Sequence, residues 1–251
     1  MTKHKIFETS HNTSIAYHYH IGRKPTVIFF GGFMSDMEGT KATALEKHCV
    51  AQGYGFLRFD YSGHGKSSGK FVDGTIGLWT KDAISLIEAV VEGPIVMIGS
   101  SMGGWTGLLA ALRFKDRLKA FIGIAAAPDF TERLMWKSFS KSQKQELRAN
   151  GQIELPSDYS DEPYILSYKL IKDGRKHLLL DSVINLDMPV RLIHGEQDSD
   201  VPVATSHIIS SCLSSQDVEI ILVKAGGHSL SEPKDLKRLM NVLDQLMPDL
   251  I

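Results

Sequence analysis

The residues with the clearest chemical potential lie in Gly99-Ser100-Ser101-Met102-Gly103. A serine hydroxyl attacks a carbonyl only when a base takes its proton, and that base needs a carboxylate to orient its ring. The spacing Gly-x-Ser-x-Gly suits a sharp, strained turn, where side chains at the flanking positions would collide with the neighbouring strand and helix. Chance alone produces this pattern in roughly one chain in ten of this size, so its setting matters. Pro94 to Ile98 reads as a buried strand and Thr106 to Leu112 as a helix, which gives the strand-turn-helix context the turn requires. Ser101 is the candidate nucleophile, and Ser100 is not. The Met102 N–H, at a helix start, can face a developing oxyanion.

Base and acid must come from downstream. Pro189 to Ile193 ends in His194-Gly-Glu-Gln-Asp198-Ser-Asp200, and Val218 to Val223 is followed by Ala225-Gly226-Gly227-His228. His228 is the candidate base, because two glycines allow its loop to bring an imidazole back over the strand ends. Asp198, first after the turn at Gly195, is the candidate acid. Asp200 is held in reserve and could instead cap the helix starting near Val201-Pro202. His194 lies on the strand before the acid loop and reads as structural. The second oxyanion donor is expected from Gly31-Gly32-Phe33-Met34, with Phe33 N–H preferred over Met34. His18 and His20 share one face of an edge strand, a weak signal for metal.

These groups need a scaffold of alternating strands and helices. Apolar runs at Thr26 to Phe30, Gly55 to Phe59, Ile95 to Ile98, Ala120 to Ala126, Val190 to Ile193 and Val218 to Val223 predict buried strands. Helical spacing appears at Thr40 to Gln52, Ile76 to Val91, Met102 to Leu112, Val203 to Leu213 and Pro233 to Leu246. The alternation predicts a mostly parallel central sheet flanked by helices, with Lys5 to Glu8 and Ile15 to His20 as an antiparallel edge pair. One domain, 1–251, is expected. An insertion over approximately 128–188 interrupts the rhythm. Trp136, Phe139, Tyr164, Leu166 and Tyr168 make it partly apolar, as a helical cap over the strand ends or as an ordinary packed subdomain.

Composition excludes several classes. The 251 residues are 43% hydrophobic and 23% charged, enough for a core and a solvated surface. Twenty-eight Lys and Arg against 29 Asp and Glu leave a net charge of −1, so no global field favours nucleic acid or an anionic membrane. Lys234, Lys237 and Arg238 read as a solvated helix face. Cys49 and Cys212 read as buried free thiols. The polar stretch Met1 to Ser14 has no signal-peptide core and no run is long enough to span a membrane, so a cytoplasmic enzyme without stable membrane insertion is expected. Arg58-Phe-Asp-Tyr-Ser-Gly-His-Gly65-Lys66-Ser67 imitates a phosphate cradle but fails its spacing at Asp60 and Ser68.

Taken together, these residues resemble the α/β hydrolases, and within them the mitochondrial acyl-glucuronide esterase and palmitoyl-protein thioesterase branch. The likeness runs from Gly31 to about Pro202. It is densest at Gly39 to Ala42, Arg58 to Gly63, Thr75 to Trp79 and Gly99 to Trp105. It implies an α/β-hydrolase fold with Ser101, Asp198 and His228 as nucleophile, acid and base, acting on esters or thioesters with no metal and no cofactor. Gly31 departs from the His that many α/β hydrolases carry before the oxyanion-loop glycine. The expected partner is a small-molecule acyl ester or thioester, or an acylated protein, and not nucleic acid. The alternatives are an acyltransferase using the same three residues and a non-catalytic binding protein on the same fold.

Overall fold

The computed structural model describes residues 4–156 and 163–250. Part of the polar N-terminal stretch and part of the expected 128–188 insertion therefore lie outside the described residues. The chain opens with strands β1 (Lys5–Glu8), β2 (Ser14–His20) and β3 (Arg23–Phe30), then alternates α1 (Thr40–Ala51), β4 (Tyr54–Phe59), α2 (Ile76–Val90), β5 (Ile95–Ser100), α3 (Met102–Arg113) and β6 (Leu118–Ile124). After the insertion come β9 (Val190–Gly195), α6 (Ala204–Cys212), β10 (Val218–Val223) and α7 (Pro233–Leu246). The sheet has eight strands in the order β1-β2-β4-β3-β5-β6-β9-β10. Within this sheet the pairings of β2 with β1 and β4 are antiparallel, and β4, β3, β5, β6, β9 and β10 run parallel.

Why the central strands read as unbroken apolar runs is visible in β3. Val27 and Phe29 join one core with Ala42 and Leu45 of α1 and Leu239, Val242 and Leu243 of α7. Ile28 and Phe30 point the other way, to Trp79 and Leu86 of α2 and Trp105 and Leu108 of α3. Period-two alternation sends successive side chains to opposite faces, and helices on both faces keep these four positions buried from solvent.

The insertion holds a π-helical turn at Thr131–Trp136, helix α4 (Lys141–Asn150), the antiparallel pair β7 (Gln152–Leu155) and β8 (Tyr164–Ser167), and α5 (Tyr168–Gly174). Helical periodicity alone does not announce this small hairpin, whose four-residue β7 alternates exposed and buried positions over too short a run. Ser140 and Gln143 form a reciprocal cap at the start of α4. Phe139, Leu147, Ile153, Leu166 and Ile171 are buried in the same core as α2 and α3. The insertion is thus packed against the body by its own apolar side chains.

Two smaller expectations need adjustment. Cys49 is buried, but Cys212 is only half-buried, its thiol facing the Leu180 carbonyl at 3.7 Å. Lys234 and Lys237 are exposed as expected, while Arg238 pairs with Asp235 at 2.8 Å. Among the described residues no helix is long and apolar enough to cross a membrane.

Candidate active site

Strand β5 ends at Ser100, which is buried, and the next residue turns sharply into α3. Ser101 has φ 53° and ψ −119°, a conformation that typically costs about 1–3 kcal/mol outside glycine. Three backbone bonds hold it there. Ser101 N–H donates to the Ile124 carbonyl at 2.9 Å, and the Ser101 carbonyl accepts from Gly104 at 2.9 Å and Ala127 at 3.0 Å. The flanking glycines are required by close approach: a Cβ on Gly99 would strike the backbone of Gly103, and one on Gly103 the carbonyl of Phe30.

The loops after β9 and β10 meet over this turn. His228 Nε2 lies 2.9 Å from Ser101 Oγ, and His228 Nδ1 lies 2.8 Å from Asp198 Oδ2. A carboxylate can only accept, so Nδ1 carries the proton and Nε2 is left to accept the serine O–H. Gln197 N–H donates to the Gly226 carbonyl at 2.9 Å, tying the acid loop to the base loop. Asp198 Oδ1 accepts from the N–H groups of Asp200 at 2.9 Å and Val201 at 2.8 Å. Burial raises the Asp198 pKa, but hydrogen bonds from His194, His228 and Val201 N–H overcome it and hold the carboxyl well below the usual range.

Phe33 lies in the loop after β3, which passes close enough that a Cβ on Gly32 would sit 3.6 Å from Ser101 Cβ. Among the described residues no acceptor takes the N–H of Phe33 or of Met102. The Phe33 ring packs edge-on against Phe71, Phe130 and Tyr164 at 4.9, 5.7 and 6.1 Å, joining body and insertion. Met34, the alternative donor, is 49% exposed and also has positive φ.

The structure separates the competing carboxylates. Asp198, not Asp200, reaches His228, and α6 begins after Val203 with no side-chain cap, so the capping role considered for Asp200 is not realised. His194 is more than a strand residue, since its Nε2 stands 3.2 Å from Asp198 Oδ2. His18 faces Glu38 at 3.4 Å, and among the described residues no group of three metal-ligating side chains comes together. The loop imitating a phosphate cradle is filled from within. Asp60 accepts from Met37 N–H at 2.6 Å and Lys66 N–H at 2.7 Å, and a side chain on Gly65 would collide with that carboxylate.

Two supporting residues escaped the sequence reading. Lys41 Nζ donates to the Ser229 carbonyl and, at 3.1 Å, to Ser231 Oγ, anchoring the loop that carries His228. Burial lowers its pKa to about 8, against the opposing charge of Asp235. Its one sequence signal is membership of the Gly39 to Ala42 segment. Asp129 is wholly buried and accepts from Leu179 N–H at 2.8 Å and Leu180 N–H at 2.9 Å, joining the two ends of the insertion. No spacing in the chain foretells a contact across fifty residues.

A family model described as serine aminopeptidase, S33, matches residues 22–163, a span that includes Phe33 and Ser101 but neither Asp198 nor His228. The chain is 39% identical over 238 residues to mitochondrial palmitoyl-protein thioesterase ABHD10 of Mus musculus, covering 94% of this chain and 80% of that protein. It superposes on mouse α/β hydrolase domain-containing protein 10 with a TM-score of 0.92 and 36% identity, covering 100% of both chains. A hydrolase from Agrobacterium vitis S4 superposes with a TM-score of 0.93 and 35% identity over 98% of each chain. These relatives correct one expectation. The mouse, rat, bovine and human proteins are named as mitochondrial, against the cytoplasmic location expected here. A polar N-terminal stretch argues only against a secretory signal and does not choose between other compartments.

Proposed function

The chain belongs to the serine aminopeptidase S33 family of α/β hydrolases and is a serine esterase or thioesterase; from that premise we propose that Ser101, His228 and Asp198 form a catalytic triad that cleaves acyl thioesters and esters through an acyl-enzyme. The observation that carries this reading is the continuous chain of contacts from Ser101 Oγ through His228 to Asp198, at 2.9 and 2.8 Å.

Ser101 Oγ attacks the carbonyl carbon while His228 Nε2 takes its proton. The oxyanion that forms is held by the N–H groups of Met102 and Phe33, whose lack of a described protein acceptor supports that role. Asp198 stays ionised and stabilises the imidazolium. His228 then protonates the leaving thiolate or alkoxide, and a water activated by the same ring releases the acid. Losing one oxyanion donor typically costs about 2.7–4 kcal/mol of transition-state stabilisation.

The substrate reading follows the relatives named palmitoyl-protein thioesterase. A groove lined by Pro128, Leu134, Leu180, Pro202 and Ile208, with Arg133 at its wall, runs between the insertion and the start of α6. Pro128 follows Ala127, the donor to the Ser101 carbonyl, and the groove offers a berth for the acyl chain. The insertion, 128–188, then acts as a cap that forms one wall.

Fluorophosphonate labelling of wild type and Ser101→Ala tests the nucleophile, and turnover of matched thioester and oxyester series with short and long acyl chains tests the substrate. Labelling is expected to vanish in the variant. Labelling that survives there removes Ser101 from the mechanism.

A further inference from the structure

His194 has no part in the triad, yet its side chain is wholly buried and touches the acid directly. Its Nε2 lies 2.9 Å from the Val201 carbonyl and 3.2 Å from Asp198 Oδ2. Both partners only accept, so Nε2 carries a proton, which it donates to the Val201 carbonyl while its edge faces the Asp198 carboxylate. Nδ1 lies 2.7 Å from Ser206 Oγ on α6, and in the neutral ring it accepts that hydroxyl proton. The Val201 carbonyl and the Asp198 carboxylate therefore select the tautomer with its N–H at Nε2, and the Ser206 hydroxyl satisfies Nδ1 in that tautomer by donating to it.

Oδ1 of Asp198 is occupied by the N–H groups of Asp200 and Val201, and Oδ2 by His228 and His194. Oδ1 thus carries two backbone donors and Oδ2 faces two imidazoles, and the Asp198 side chain is wholly shielded from water. A carboxylate so buried keeps its charge only through such donors. The titratable groups facing it are the two imidazoles, His194 from β9 and His228 from the loop after β10.

We propose that His194, locked by Ser206, is a positioning residue that fixes the Asp198 carboxylate in the orientation His228 requires. Ser206, His194, Asp198, His228 and Ser101 then form one relay of polar contacts from α6 to the nucleophile. The inference rests on the triad reading above. It adds that the acid is set from behind by a second imidazole that never meets substrate.

The test compares His194→Phe, which keeps the ring volume but loses both bonds, with His194→Gln, which can restore an N–H donor, and with Ser206→Ala. In His194→Phe, kcat is expected to fall about tenfold or more with KM within about twofold, because the interaction lost acts on the transition state. The acidic limb of the kcat/KM profile should move to higher pH, since a carboxylate relieved of one donor holds the His228 imidazolium more tightly. His194→Gln should recover part of kcat. Ser206→Ala should shift both quantities in the same direction by a smaller factor, and keeps the proposal testable if the Phe variant does not fold. Unchanged kcat and an unmoved acidic limb in either folded variant would overturn it. Ser101→Ala is run alongside: labelling that persists there defeats the triad, whereas labelling lost there with normal turnover in the His194 variants defeats only this inference.

Discussion

The loops after β6 and β9 each bury one aspartate, and the two carboxylates do different work. Asp129 is 0% exposed and gives its oxygens to the N–H groups of Leu179 and Leu180 and to Arg133 Nε at 3.3 Å. The Asp198 side chain is equally shielded, but spends only Oδ1 on backbone and turns Oδ2 toward two imidazoles. Burial and backbone bonding are common to both sites. The difference is a partner able to exchange a proton with something else. Asp129 joins the two ends of the insertion, whereas Asp198 faces His228, which faces Ser101.

The contrast is broken most directly at the acid. Asp198→Asn is expected to lower kcat by about 10⁴ with little change in fold, because the amide favours the wrong imidazole tautomer. Steady-state turnover together with circular dichroism checks this, and an active Asn variant would make Asp198 no different in kind from Asp129. Asp129→Ala should do the reverse. It strands two buried N–H groups at about 1–3 kcal/mol each, so unfolding in urea should show a loss of about 2–6 kcal/mol, while kcat per folded molecule stays within a few-fold.

Protonation sharpens the same comparison. The native pKa of Asp198 is depressed, so the stability it contributes is present above the unfolded value of about 3.9 and is lost as pH falls toward the native value. The stability gap between wild type and Asp198→Asn should therefore shrink from about pH 5 downward in urea titrations. Lys41 gives a slope of the same sign for a different reason, because burial disfavours its charged form in the folded chain. Its native pKa is lowered to about 8, so the unfolded chain binds more protons above that pH, and wild type should gain stability relative to Lys41→Met up to about pH 10.4. The smallest effect is expected in turnover of that variant. Loosening the His228 loop should lower kcat by a few-fold at neutral pH, and no loss at all would detach Lys41 from the site.

Much of the fold was legible in the chain. The six strands, five helices and the antiparallel edge pair fall where apolar spacing predicts them, because helices on both faces force apolar runs on the strands between them. Strand β10, at the sheet edge, is only partly buried, against the buried strand expected there. The hairpin of β7 and β8 was not legible, being short and set in helical surroundings. Ser101 and His228 could be chosen from glycines that mark a sharp turn and a flexible loop. Asp198 could be ranked above Asp200 only by its place after Gly195. His194 carried no signal beyond its neighbour on a strand, since every histidine looks alike until its partners are known.

By itself, then, the sequence determined the order of elements, the strained turn at Ser101 and the residue types able to serve as base and acid, all of which depend on local spacing and backbone sterics. Which carboxylate meets His228, what fills the loop around Asp60, and how His194, Lys41 and Asp129 support their neighbours were decided by the tertiary structure. Those contacts join residues brought together by the parallel sheet, and a hydrogen bond depends on distance and direction in space, which spacing along the chain does not record.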